Sequence, residues 1–294
     1  MPESPDLSDL KVRATTISSD LAGPDENRII EIADRTIGII SRAMVHSRYN
    51  AIPDEVVHLG REFPDLARLV VARLISRADG DTVSTWPETV RLELVRQGHR
   101  ILAHCENASN PMGFDDDIVQ KDIGIARLAL YPCRAQVVER SSGVSLRLLL
   151  SKDLASACSL GVALALQGGR RPYYEIHTHT PMLDGFDLAG WTACFEMVAD
   201  LMVNDRGILG VIGISWFYDP AIEAISPRLA YLRTLPIAGG ALFLRSQSTE
   251  RDAALATATS ATRRALYESG QYVPTSFAMI WQRKGLLQWR HRTG

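Results

Sequence analysis

Four absences narrow the field before any motif is read. The chain has only four cysteines, Cys105, Cys133, Cys158 and Cys194, and they are spaced 28, 25 and 36 residues apart with no C-x-x-C pair. That spacing excludes a zinc knuckle and a redox dithiol, and it predicts buried thiols in a reducing cytoplasm. No apolar run reaches the roughly 18 residues that a membrane span needs. The beginning, Met1-Pro2-Glu3-Ser4-Pro5-Asp6, is acidic and broken by proline, so it does not read as a signal peptide, which opens basic and then turns apolar. Charge of one sign is not in excess either. The net charge is −2, without the basic surplus of a general nucleic-acid binder. No G-x-G-x-x-G, P-loop or kinase signature occurs, and no strand interleaves basic with aromatic residues. The expectation is a cytoplasmic protein acting on a small molecule, with neither nucleic acid nor membrane as partner.

What is present is an ordinary globular composition, 46% hydrophobic and 22% charged over 294 residues. Residues 1–24 mix Ser, Pro, Asp and Gly and read as a flexible arm. Residues 25–120 read as a helical region. Ile29, Ala33, Ile37, Ile40 and Met44 fall at spacings of four, four, three and four. Further helices begin near Pro53, near Pro64 and after Trp86-Pro87. His46, His58, His99 and His104 are scattered here, none at the spacing of three or four that a helical metal pair requires. From about 121 to 294 the chain alternates strand and helix patterns, which predicts an α/β (α+β) domain, a mixed sheet covered by helices, packed as one unit with the helical region. The predicted strands are 135–139 and 144–150, joined as a hairpin through Arg140-Ser141-Ser142-Gly143, then 173–180, 210–218, 241–245, 276–283 and 286–289. The predicted helices between them are 151–167, one capped by Asp187, 221–235 and 250–269.

Chemistry concentrates between Arg170 and Pro220. In Glu175-Ile176-His177-Thr178-His179, side chains two apart on a strand share a face, so Glu175, His177 and His179 would project together. A carboxylate and two imidazoles suit acid–base work, with one of the three taking a substrate proton. They also suit a first-row metal, Zn or Fe, with Asp184 or Asp187 completing a set headed by His177 and His179 in a hydrolase or oxygenase. Gly213-Ile214-Ser215-Trp216-Phe217 falls one residue short of a G-x-S-x-G elbow, because Phe217 replaces the second glycine, so Ser215 reads as a strand residue beside an aromatic wall. From residue 221 onward ten basic residues face four acidic ones. That excess is a solvated surface, or a set of arginines holding an anionic ligand or partner without catalysis.

One stretch carries a family resemblance. Ala241 to Arg245 as a strand, the helix through Ala261-Thr262-Arg263-Arg264-Ala265-Leu266-Tyr267-Glu268-Ser269-Gly270-Gln271-Tyr272, and the strand after it resemble the end of the GCN5-related N-acyltransferase (GNAT) fold over about 85 residues. The resemblance implies an N-acyltransferase using acyl-CoA or another acyl thioester. It gives Tyr267 the role of general acid at the thioester sulfur, and 210–218 that of the strand receiving the pantetheine arm. Ser215, Trp216, Arg228 and Arg233 then become cofactor-binding candidates. The family's glycine-bearing pyrophosphate loop has no counterpart in Ala221-Ile222-Glu223-Ala224-Ile225-Ser226-Pro227-Arg228, which contains no glycine.

Overall fold

The computed structural model describes residues 7–23, 26–44, 48–107, 109, 111–145, 148, 158, 160–162, 164–165 and 169–293. The described chain is an α/β protein. A six-stranded mixed sheet, in the order β1-β2-β3-β4-β6-β5, follows a helical first half. The strands are β1 (Leu130–Cys133), β2 (Gln136–Ser142), β3 (Tyr173–His177), β4 (Gly210–Ser215), β5 (Leu242–Gln247) and β6 (Ser276–Gln282). Contacts divide the chain into one unit of Met1–Glu139 with Thr178–Leu183, and a second of Arg140–His177 with Asp184–Gly294. The division therefore lies at 139/140, not at the expected 120/121, because helix α7 (Asp117–Ala126) packs with the helices before it and β1 is its neighbour.

The first unit holds α1 (Leu7–Ala22), α2 (Glu26–Met44), α3 (Asp54–Glu62), α4 (Leu66–Ser76), α5 (Gly80–Ser84), α6 (Glu88–Glu106) and α7. Its centre is α4, where every residue from Leu66 to Ala72, and then Leu74 and Ile75, is buried. The expected flexible arm is instead α1. Leu10, Ala14, Ile17 and Ser18 recur at helical spacing and are buried on α4 and α6, while the Ser, Thr and Asp that gave the stretch its loose texture mostly face outward. The reading of α2 holds at Ala33, Ile40 and Met44. Pro53 and Pro87 sit at the N-caps of α3 and α6, where a missing N–H costs nothing.

In the second unit β3 and β4 run parallel, with α8 (Leu188–Asn204) as the crossover, and β6 lies antiparallel between β4 and β5. Asp187 caps α8 as expected, accepting from the Gly190 N–H at 2.7 Å. The sheet is buried on both sides. Tyr173, Ile212, Leu244, Ala278 and Ile280 form one cluster with Val144, Leu148, Leu160 and Leu164. On the other side Trp281 meets Phe195 of α8 at 5.1 Å and Trp289 of α13 (Arg283–Thr293) at 5.2 Å between ring centroids.

Several boundaries differ from expectation. β3 stops at His177 and not at Thr180, and β4 stops at Ser215, after which Trp216–Tyr218 make a 3-10 turn. The helix expected over 221–235 is broken into α9 (Ala221–Ile225) and α10 (Tyr231–Ala238), since Pro227 restrains Ser226 and lacks an N–H. The one over 250–269 is divided into α11 (Glu250–Thr257) and α12 (Ala261–Glu268), because Ser260 caps a new helix by accepting from Arg263 N. The strand expected over 286–289 is part of α13, whose Leu286 and Trp289 reach inward at a helical spacing of three. Cys158 is exposed, against the expected buried thiol, whereas Cys105, Cys133 and Cys194 are buried. Val144 and Ser145 are not in a strand. Leu148, also in the expected 144–150 strand, is helical, while residues 146, 147, 149 and 150, much of the 151–167 helix and His46 lie outside the described residues.

Candidate functional site

The carboxyl end of β3 carries the chemistry of the second unit. Tyr174, Glu175 and Ile176 pair with Val211, Ile212 and Gly213 of β4, so Glu175 and His177 stand on the face that carries Tyr173 and Ile212. Glu175 is buried and His177 half-buried, and a carboxylate oxygen of the one lies within 4.8 Å of a ring nitrogen of the other. Ser142, the last residue of β2, donates its hydroxyl to Glu175 Oε2. Ile214 continues this face on β4 and is 41% exposed. In open parallel sheets this end, beyond the strand termini, is where ligands gather.

His179 does not extend this row, because the strand has already ended. It belongs to the first unit, where it is completely buried, with Nε2 3.0 Å from Asp122 Oδ1. Arg100 also grips Asp122, through Nη2 to Oδ1 and through Nη1 to Oδ2 at 3.3 Å, and its Nη2 is 3.2 Å from His179 Nε2. Gln97 Oε1 accepts from Arg100 Nε at 2.6 Å, and Glu93 Oε1 accepts from Gln97 Nε2 at 2.9 Å. Burial would raise the Asp122 carboxyl, but the bond from His179 and the charge of Arg100 outweigh it and hold the group below its ordinary 3.8. Burial lowers the His179 imidazole below 6.5, with Asp122 opposing. The pair is therefore an ionised carboxylate beside a neutral ring, whose Nδ1 has no hydrogen-bond partner among the described residues. Burial, reinforced by the Asp122 charge, pushes the nearby Cys105 thiol up to about 12, which makes it inert.

The cofactor-binding candidates do not join Glu175 and His177. Ser215 alternates onto the opposite face of β4 and pairs with Phe277. Trp216 lies under the guanidinium of Arg263, 4.8 Å from ring centroid to Cζ. Arg233 is committed to Glu223 at 2.8 Å, to the Tyr218 carbonyl at 2.6 Å and to the face of Phe243. Arg263 is buried on Ser226 Oγ at 2.9 Å and the Ala256 carbonyl. Arg283 closes the end of α8 on the carbonyls of Met202, Asp205 and Ile208. Much of the C-terminal arginine excess is thus bonded to protein acceptors, which takes these residues away from the anion-holding role. Arg228 sits in a 3-10 turn, Tyr267 is 41% exposed on α12, and Asp184 is exposed after β3.

Sequence reasoning missed Asp122, Arg100 and Ser142. The first two were hidden because their partner lies 57 and 79 residues away, and Ser142 because it was assigned to a turn. A buried Asp in an apolar helix, in Asp117-Ile118-Val119-Gln120-Lys121-Asp122-Ile123-Gly124, was the one available signal for Asp122. No family model, curated protein or solved structure matches the chain. Among the described residues, no helix is long and apolar enough to cross a membrane.

Proposed function

We propose that the protein is an enzyme acting on a small molecule, with Glu175 and His177 as its acid–base pair and acyl transfer from a thioester to an amine as its reaction. The observation that carries this reading is the buried carboxylate within 4.8 Å of a half-buried imidazole at the carboxyl end of β3. A carboxylate beside an imidazole suits the pair to passing a proton to and from a bound substrate. The amine nitrogen attacks the thioester carbonyl, and His177 receives the amine proton as the C–N bond forms. The C–S bond then breaks, and the leaving thiolate takes up the proton that His177 received, which returns the ring to its starting form. The acyl-thioester part of the reading rests on the resemblance of residues 210–294 to the GCN5-related N-acyltransferase fold. His179 is left out of the proton transfer, since its Nε2 is already engaged by Asp122.

Calorimetry with acetyl-coenzyme A, paired with a thiol-release assay over a panel of amines, tests the proposal. His177→Ala should keep thioester binding within about twofold while turnover falls roughly 10²- to 10⁴-fold. Absence of coenzyme A binding at millimolar concentration defeats the acyl-transfer reading.

A second reading is favoured by the same pair of ligand atoms. Glu175 and His177 offer one oxygen and one nitrogen at a separation compatible with a shared Zn or Fe ion. Metal analysis of protein made with ample supply decides it: near-stoichiometric metal, lost in the Glu175→Gln/His177→Ala double variant, is the outcome this reading requires.

A further inference from the structure

We propose that the first unit holds a ligand site of its own, an apolar pocket that takes one aromatic ring bearing a hydroxyl group, with Asp65 accepting from the hydroxyl. The site lies wholly within that unit and is independent of the acid–base reading above. It has a volume of about 160 Å³ and sits where the end of α1, the first half of α2 and the turn into α4 meet. Leu66 and Leu69, three apart on α4, are its buried lining. Ile29 and Ile32, three apart on α2, are half-buried walls, as is Phe63 just before α4. Asp65 is the one ionisable residue that lines it, and it is exposed.

These walls suit an apolar ring better than water. A held water needs two to four polar partners, and leucine, isoleucine and phenylalanine side chains offer none. The backbone adds little, because the N–H groups of Leu66 and Leu69 already donate to the carbonyls of Phe63 at 2.9 Å and Asp65 at 3.0 Å. Poorly held water is displaced by an apolar group with a gain in affinity. Size then narrows the choice: apolar cavities of about 150 Å³ lined by the same three residue types take up benzene. The isoleucines are branched at Cβ and stiff about χ1, which keeps the α2 wall in place.

Asp65 selects the polar part of the ligand. It occupies the N-cap position of α4, yet its side chain makes no capping bond. Its Oδ1 accepts from Arg68 Nη1 at 2.8 Å instead, and its Oδ2 has no hydrogen-bond partner among the described residues. Arg68 balances the carboxylate's charge, so the pocket offers an acceptor more than an unanswered negative charge. A hydroxyl donates to that acceptor, whereas a ring carrying a carboxylate would set two acceptors against each other.

The test is a titration of the full chain, labelled with carbon-13 at the isoleucine and leucine methyls, with benzyl alcohol, toluene and benzoate. Benzyl alcohol should move the methyl signals of Ile29, Ile32, Leu66 and Leu69 with a Kd of about 1 mM. Toluene should move the same signals about fivefold more weakly, and benzoate more weakly again. Asp65→Asn leaves an acceptor for Arg68 but turns an amide N–H₂ towards the ligand, so it should bring benzyl alcohol to the affinity of toluene and leave toluene unchanged. Ile32→Trp fills the pocket and should abolish the shifts, with Ile29→Trp serving the same purpose where the first variant does not fold. Pocket methyls that stay still at about 20 mM benzyl alcohol overturn the site, as do shifts that persist in a folded filled variant. Benzoate binding as tightly as benzyl alcohol overturns the hydroxyl specificity assigned to Asp65.

Discussion

His179 Nε2 and Asp122 Oδ1 lie 3.0 Å apart in a place where neither side chain touches solvent. The contact holds Thr178–Leu183 to the first unit, and Met182, whose N–H donates to the His179 carbonyl at 2.9 Å, is buried with it.

Acid should weaken the fold through this pair. The folded His179 has a pKa below 6.5, so as pH falls through 6.5 the unfolded chain binds a proton that the folded chain refuses. The stabilisation is complete above 6.5 and is lost on the way down to the folded value. Asp122, depressed below 3.8, adds a further loss only below that pH. Urea midpoints should therefore fall between pH 7 and pH 5, and His179→Gln should flatten that slope. A wild-type midpoint that climbs on acidification over the same interval contradicts the assignment of a neutral ring.

Asp122→Ala should destabilise by about 3 kcal/mol or more, since Arg100, largely buried, and His179 both lose their acceptor. Asp122→Asn keeps the shape and should cost less. Chemical denaturation with an unchanged m-value is the measurement, and a loss under about 1 kcal/mol for the alanine variant would show that the network carries little stability.

Gly239→Ala should cost about 1–3 kcal/mol by overpacking. Its Cβ would lie 1.9 Å from Trp281 Cζ2, and the Trp281 indole N–H donates to the Gly239 carbonyl at 2.9 Å, so the ring has no room to retreat. Thermal unfolding together with near-ultraviolet circular dichroism reads both the loss and the displaced indole. A melting temperature equal to the wild type refutes the close approach.

Arg263→Lys should destabilise by about 1–3 kcal/mol, whereas Tyr267→Phe, one turn along the same helix and 41% exposed, should leave stability within about 0.5 kcal/mol. The guanidinium serves Ser226, the Ala256 carbonyl and the Trp216 face together, which an ammonium cannot do. Equal melting temperatures for the two variants would place Arg263 outside the packing of this region.

Local signals in the chain were legible where one residue decides the outcome. Asp187 caps α8, the helix at Tyr267 stops at Gly270 with φ +72, and the Ser276–Gln282 strand is where its alternation places it. The pairing of Glu175 with His177 follows from a period of two. What failed depended on partners distant in sequence. The apolar stripe of α1 is thin and gains meaning only against α4 and α6. The end of β3 at His177 is set by where the pairing with β4 runs out, and the fate of His179 by an aspartate 57 residues earlier. Leu286 and Trp289 are three apart, a spacing that a short apolar window cannot assign to strand or helix.

The position of β6 between β4 and β5 governs the order in which the second unit can be assembled. Of the six strands it leaves the ribosome last, yet two others depend on it for their hydrogen bonds. Until residues 276–282 emerge, β4 and β5 each present an edge with no mate, and a nascent chain arrested before that point would expose two templates for aggregation.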